Sequence, residues 1–240
     1  MARTCFLPFY DLEQTNISET LEQYEFDYLF SIINGKIIRQ NVLDMPRKFA
    51  INYHDAPLPR YAGMYATSWA LINQEKVHAV SWHVMTAEVD AGDILVQKKV
   101  VIKPEDNVDL LDAKCFQAAI EGFDELLQKL ILGQTNPLPQ DLRRRTLFGL
   151  YQRPEHGIVV DWTKPGSDII ALVKACAFHR VDNPFGVVKL LLDDNKFLIV
   201  RNAGVAGTDT VGHEPGKIIS INDREITVAT GDGSIKLSEA

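Results

Sequence analysis

The chain predicts an α/β fold in which a mainly parallel, doubly wound sheet is followed by a small antiparallel β-barrel. Three observations lead there. Short apolar runs alternate with helical stretches over residues 17–132. At residues 133–153 the periodic apolar pattern gives way to Pro137, Pro139 and the run Arg143-Arg144-Arg145. Beyond it, short strand-like runs are separated by turn signals such as Asp193-Asp194-Asn195, Asn222-Asp223 and Gly231-Asp232-Gly233. The expected organisation is a first domain over residues 1–133, a linker over 134–157 and a second domain over 158–240.

In chain order, residues 5–8 read as a strand with no partner earlier in the chain. Asn16, with Glu19 three residues on, has capping-box spacing and predicts a helix over 17–24. The run 27–33 reads as a buried strand ended by Asn34-Gly35, and 41–45 as a short helix stopped by Pro46. Strands at 49–53, 77–85 and 94–101 and helices at 63–73 and 108–132 complete the first domain. In the second, a helix over 167–178 precedes strands at 187–192, 197–201, 216–221, 225–229 and 234–237.

With 240 residues, 46% of them hydrophobic and 24% charged, the composition is that of a globular chain of one or two domains, and no apolar run reaches the ~20 residues of a membrane span. The formal charge is −7, and Arg143-Arg144-Arg145 is the one basic cluster, so a polyanionic partner is disfavoured. Cys5, Cys115 and Cys176 are odd in number and lack metal-ligand spacing, which predicts reduced thiols and a cytoplasmic location.

Asn52 and His54, two apart at a strand's C-terminal end, leave the same face, while Tyr53 points to the other. Ligands bind at that end in open α/β sheets, though a polar pair there also serves simply to cap the following turn. The turn Glu88-Val89-Asp90-Ala91-Gly92-Asp93 could bring a carboxylate to the same edge. Asp90 hydrogen-bonded to His54 would favour the imidazolium, and an imidazolium beside the Asn52 amide makes a two-donor site for an oxyanion. Alternatively Asp90 bonds its own backbone, and Asp93 serves a turn or cap.

The string from Asn52 to Gly63, followed by Trp69-Ala70-Leu71-Ile72, His83 and Val89-Asp90-Ala91-Gly92-Asp93-Ile94-Leu95, resembles the signature of the 10-formyltetrahydrofolate-dependent formyltransferases. That family reads N-x-H-x-S-L-L-P-x-x-x-G and then D-T-G-D-I-L. Asp161-Trp162, Pro215-Gly216-Lys217-Ile218 and residues 229–233 are similar to the C-terminal barrel of methionyl-tRNA formyltransferase and its relatives, so the resemblance covers nearly the whole chain. It implies a Rossmann-like sheet followed by an OB-like barrel, and transfer of a formyl carbon from folate N10 to an amine without a metal. Asn52 and protonated His54 would stabilise the oxyanion, while Asp90 would hold His54 charged and help move the proton. The folate cosubstrate's pteridine would sit against Gly35, Lys36, Ile37, Ile38 and the loop of Asp90. His83 reads as a packed histidine more than a catalyst.

Two departures from the pattern matter. Ala56-Pro57-Leu58-Pro59 replaces S-L-L-P, which implies a different acceptor. The family opens with a βαβα unit before the strand that resembles residues 5–8, so the sheet is expected to be truncated, with an uncovered edge. Residues 151–240 hold ten Lys and Arg against twelve Asp and Glu, a poor platform for tRNA. The wording of residues 54–63 and Asn183-Pro184-Phe185-Gly186 resemble formylation domains of nonribosomal peptide and polyketide assembly lines. The expected acceptor is therefore an aminoacyl group on a carrier protein, with neighbouring assembly-line domains as partners. A tRNA or amino-sugar formyltransferase, a formyltetrahydrofolate hydrolase and a non-catalytic interaction module are the alternatives.

Overall fold

The structure, a computed structural model, describes residues 8–11, 15–178, 185–192, 196–207 and 213–238. Residues 5–7 of the first expected strand, Asn183, Pro184 and the expected turn at 193–195 lie outside the described residues.

Helix α1 (Ile17–Leu21) begins where Asn16 Oδ1 accepts from the Ser18 N–H and the Asn16 amide reaches Glu19. The chain continues through β1 (Tyr28–Ser31), α2 (Gln40–Leu43), β2 (Phe49–His54), the two-residue β3 (Ala62–Gly63), α3 (Ala66–Ile72), β4 (Val77–Val84) and β5 (Ile94–Val101). The long α4 (Val108–Ile131) follows, its first turn capped by the Asn107 side chain.

The first sheet has the order β1-β2-β4-β5. The α/β class stands, but the expectation of a mainly parallel sheet is corrected: β1 and β2 are parallel, whereas β2/β4 and β4/β5 are antiparallel. The reason is local. The chain leaving β2 stays at that edge, so β4 starts beside Asp55, whose carbonyl accepts from His78 Nε2. The short turn between β4 and β5 can join only antiparallel neighbours.

Helix α4 covers one face of this sheet. Trp82 donates its indole N–H to the Ala119 carbonyl and packs on Gly122, while Phe30 meets Phe123 edge-on at 5.4 Å. On the opposite face β2, β4 and β5 carry polar side chains: Asn52 bonds His83, and Ser81 bonds Gln97.

The expected linker is closely packed along part of its length. Leu138 and Ile94 exchange both backbone hydrogen bonds, a 3-10 turn spans Leu142–Arg144, and β6 (Leu147–Phe148) pairs in parallel with β3. Phe148 stacks on Trp69 at 4.5 Å and on Tyr61 at 5.6 Å. Helix α5 (Gly166–Ala175) then packs against α3, where Ser68 Oγ donates to the Ala175 carbonyl.

The last part is antiparallel, as expected. A hairpin of β7 (Val188–Leu191) and β8 (Phe197–Val200) stands beside a sheet of order β10-β11-β12-β9, built from β9 (Asn202–Gly207), β10 (Ile218–Ile221), β11 (Glu225–Ala229) and β12 (Ser234–Ser238). Strand β9 was not expected, because Asn-Ala-Gly-Val-Ala-Gly lacks the β-branched and aromatic residues that mark strands. Its place comes from pairing with β12. Cys115 and Cys176 are buried thiols outside any disulfide, as expected.

Candidate active site

Strand parity puts Asn52 and His54 on the face away from α4, while Tyr53 turns to the other side and meets Trp82 at 5.4 Å. The β2/β4 register sets Asn52 opposite His83 and His54 opposite Ser81. The hairpin between β4 and β5 then brings Asp90 back over the same face, with its backbone in the left-handed region at φ +53°.

The structure brings Asn52, His54 and Asp90 together. Asp90 Oδ2 accepts the Gly63 N–H at 2.8 Å and lies 3.6 Å from His54 Nε2, while Oδ1 lies 3.4 Å from His83 Nε2. His54 Nε2 makes its own hydrogen bond to the Tyr61 carbonyl at 3.0 Å, so Asp90 faces His54 at ion-pair rather than hydrogen-bond distance. His83 Nδ1 lies 2.9 Å from the Val84 carbonyl oxygen, while Nε2 lies 3.2 Å from the Asn52 amide nitrogen and 3.4 Å from Asp90 Oδ1.

His54 and the Asp90 carboxyl are both nearly closed off from solvent. Burial alone would raise the Asp90 pKa. The hydrogen bond with His83, the charge of His54 and the Gly63 N–H outweigh it and hold the carboxyl down to about 2. A fixed anion thus stands between two imidazoles beside an amide, which is equipment for holding and moving a proton at a centre where negative charge develops.

Of the residues expected to face a pteridine, Lys36, Ile37 and Ile38 line a cleft of about 610 Å³ between the segment after β1 and α1, with Gly35 adjacent in the chain. Asn52, His54 and Asp90 do not line that cleft. The parallel register nevertheless pairs Ser31 with Asn52, so the segment leaving β1 starts at the sheet edge where the carboxylate stands. Ile33 and Ile37 on that segment are exposed. No group of three His, Cys, Asp or Glu is arranged as a metal site among the described residues.

Sequence reasoning missed the Tyr61 carbonyl and the Gly63 N–H, backbone groups that no side-chain pattern reveals. It placed His83 near the site; the structure ties it to both Asn52 and Asp90.

A family profile described as formyl transferase matches residues 10–127, and one described as formyl transferase, C-terminal domain, matches residues 154–240. This chain belongs to the formyl transferase family. The family's members are enzymes that transfer one-carbon formyl groups. The chain is similar to methionyl-tRNA formyltransferase of Staphylococcus aureus (strain MW2), 29% identical over 229 residues that cover 94% of this chain and 70% of the relative. Among solved structures it resembles the N-formyltransferase from Helicobacter canadensis in complex with folinic acid and dTDP-3-aminofucose. There the TM-score is 0.75 at 15% identity, over 99% of this chain and 80% of the other. It also resembles HypX from Aquifex aeolicus in complex with tetrahydrofolic acid, with a TM-score of 0.69 at 19% identity. That likeness takes in 92% of this chain but 36% of HypX. At these identities the solved structures speak for the fold.

Proposed function

We propose that this formyltransferase moves the formyl group of 10-formyltetrahydrofolate to a primary amine, with Asn52, His54 and Asp90 at the reacting carbon. The observation that carries this reading is the Asp90 carboxylate, held ionised 3.6 Å from His54 on the face where the Asn52 amide stands. The amine nitrogen adds to the formyl carbon, and the carbonyl π pair moves onto oxygen, where the Asn52 N–H and the His54 imidazolium stabilise it. Asp90 takes the proton released by the amine and passes it towards N10. The C–N10 bond then breaks, its electron pair leaves with N10, and the carbonyl re-forms on the new amide. Gly35, Lys36, Ile37 and Ile38 are the proposed pteridine contacts, on the segment that leaves β1 beside Asn52.

The proposed acceptor is an aminoacyl group on a carrier protein, with assembly-line domains as neighbours in the cytoplasm. Two features support it: the proline-stiffened Ala56-Pro57-Leu58-Pro59 beside the site, and the surplus of acidic over basic residues in 151–240, unfavourable to tRNA. The test incubates the chain with 10-formyltetrahydrofolate and, separately, an aminoacyl carrier protein, methionyl initiator tRNA and a nucleotide-linked amino sugar. Tetrahydrofolate release and N-formyl product are both followed. The carrier-protein arm is expected to give stoichiometric N-formyl product. Equal release without any amine would instead indicate a hydrolase, and turnover confined to another arm would replace the acceptor.

A further inference from the structure

We propose that Gln140 is a positioning residue that sets the Asp90 carboxylate, and that it does so from the segment joining the two family-matched regions. The inference rests on the reading of Asp90 given above.

Asp90 sits in the left-handed region, which few residues other than glycine, asparagine and aspartate adopt, and the turn around it is tied down from outside. Gln140 provides the ties. Its amide nitrogen donates one N–H to the Asp90 carbonyl at 2.9 Å and the other to the Gly92 carbonyl at 2.6 Å, tying the turn on both sides of Ala91. Neighbouring residues act on the same two loops. Arg145 donates to the Val89 carbonyl at 2.6 Å and pairs with Glu88 at 3.2 Å. Thr146 Oγ1 accepts the Tyr61 N–H at 2.7 Å, and the Thr146 carbonyl accepts the Ala62 N–H at 2.9 Å. Tyr61 and Gly63 in turn supply the carbonyl on His54 and the N–H on Asp90. One segment therefore fixes both halves of the His54–Asp90 pair.

The glutamine amide suits this place. Two carbonyls require two donors from one nitrogen; glutamate offers only acceptors when ionised, and leucine keeps the bulk without either. Both of these hydrogen bonds go to backbone carbonyls of the turn, so Gln140 acts through the position of Asp90.

The test compares Gln140→Leu and Gln140→Glu with the unmodified chain, using steady-state formyl transfer and the imidazole ¹⁵N spectra of His54 and His83. Gln140→Leu is expected to lower kcat by about 10- to 100-fold while KM for the folate stays within about threefold, since the carboxylate is displaced but the folate contacts remain. Gln140→Glu is expected to fall further at pH 7. Relative to the unmodified chain it should recover as the pH falls towards 5 and its carboxyl regains a donor. Both should shift the two imidazole spectra. A folded Gln140→Leu with unchanged kcat and unchanged spectra overturns the proposal, as does a lowered Tm with kcat per folded molecule intact. Should Gln140→Leu not fold, the pH dependence of the isosteric Gln140→Glu decides. If the unmodified chain transfers no formyl group, the catalytic reading fails by itself, and the spectra still report whether Gln140 sets Asp90.

Discussion

Asp90 stands between two imidazoles in the proposed site, and its ionisation links the site to stability. Its folded pKa of about 2 lies below the ~3.9 of an unfolded aspartate. The carboxylate therefore stabilises the fold above about pH 5, and this contribution is lost as the pH falls through 4 towards 2. Its size is on the order of 2 kcal/mol. Asp90→Asn should remove it: denaturant unfolding at pH 7 should show a loss of that order, shrinking as both proteins are taken to pH 3. Parallel stability curves across that range would show that the carboxylate is not held by its neighbours. At this scale the sequence was informative about side chains and silent about backbone. Asn52 and His54 were legible from strand parity, and Asp90 from the turn that carries it. The bond from Asn52 to His83 was not, because it depends on a β2/β4 register that no local pattern encodes.

The β4–β5 hairpin delivers Asp90, and Gly92 is its narrowest point. A Cβ there would stand 2.0 Å from the Val84 carbonyl oxygen, an approach only glycine permits. Gly92→Ala should destabilise the chain by about 2–4 kcal/mol and lower formyl transfer more steeply than a core truncation of equal cost, because the turn holding Asp90 must move. Equal losses of activity at equal stability would separate the hairpin from the chemistry. Elements with strong periodicity were read closely: β5 was expected at 94–101 and α4 at 108–132, and they span Ile94–Val101 and Val108–Ile131. The helix expected at 63–73 begins only at Ala66, because Gly63, at φ +92°, belongs to a strand pair with Leu147 and Phe148, more than eighty residues away. The sense of β4 was missed for the same kind of reason. Apolar alternation marks a strand but not its direction.

Across the whole molecule, the two regions matched to the family meet through α3 and α5 and through the rings of Trp69, Phe148 and Phe185. The stretch between them read as a linker because Pro, Arg and Gly displace the apolar pattern. It is ordered instead by hydrogen bonds to distant backbone, which composition cannot show. We propose that this face of the sheet, with Asp90 between two imidazoles, performs the transfer. Single-turnover formyl transfer from 10-formyltetrahydrofolate to an accepting amine tests this, with the unmodified chain and Asp90→Asn each shown to be folded at pH 7. The expected result is transfer by the unmodified chain and a rate at least ~100-fold lower for the variant. An equal rate from a folded Asp90→Asn would exclude the carboxylate from the reaction.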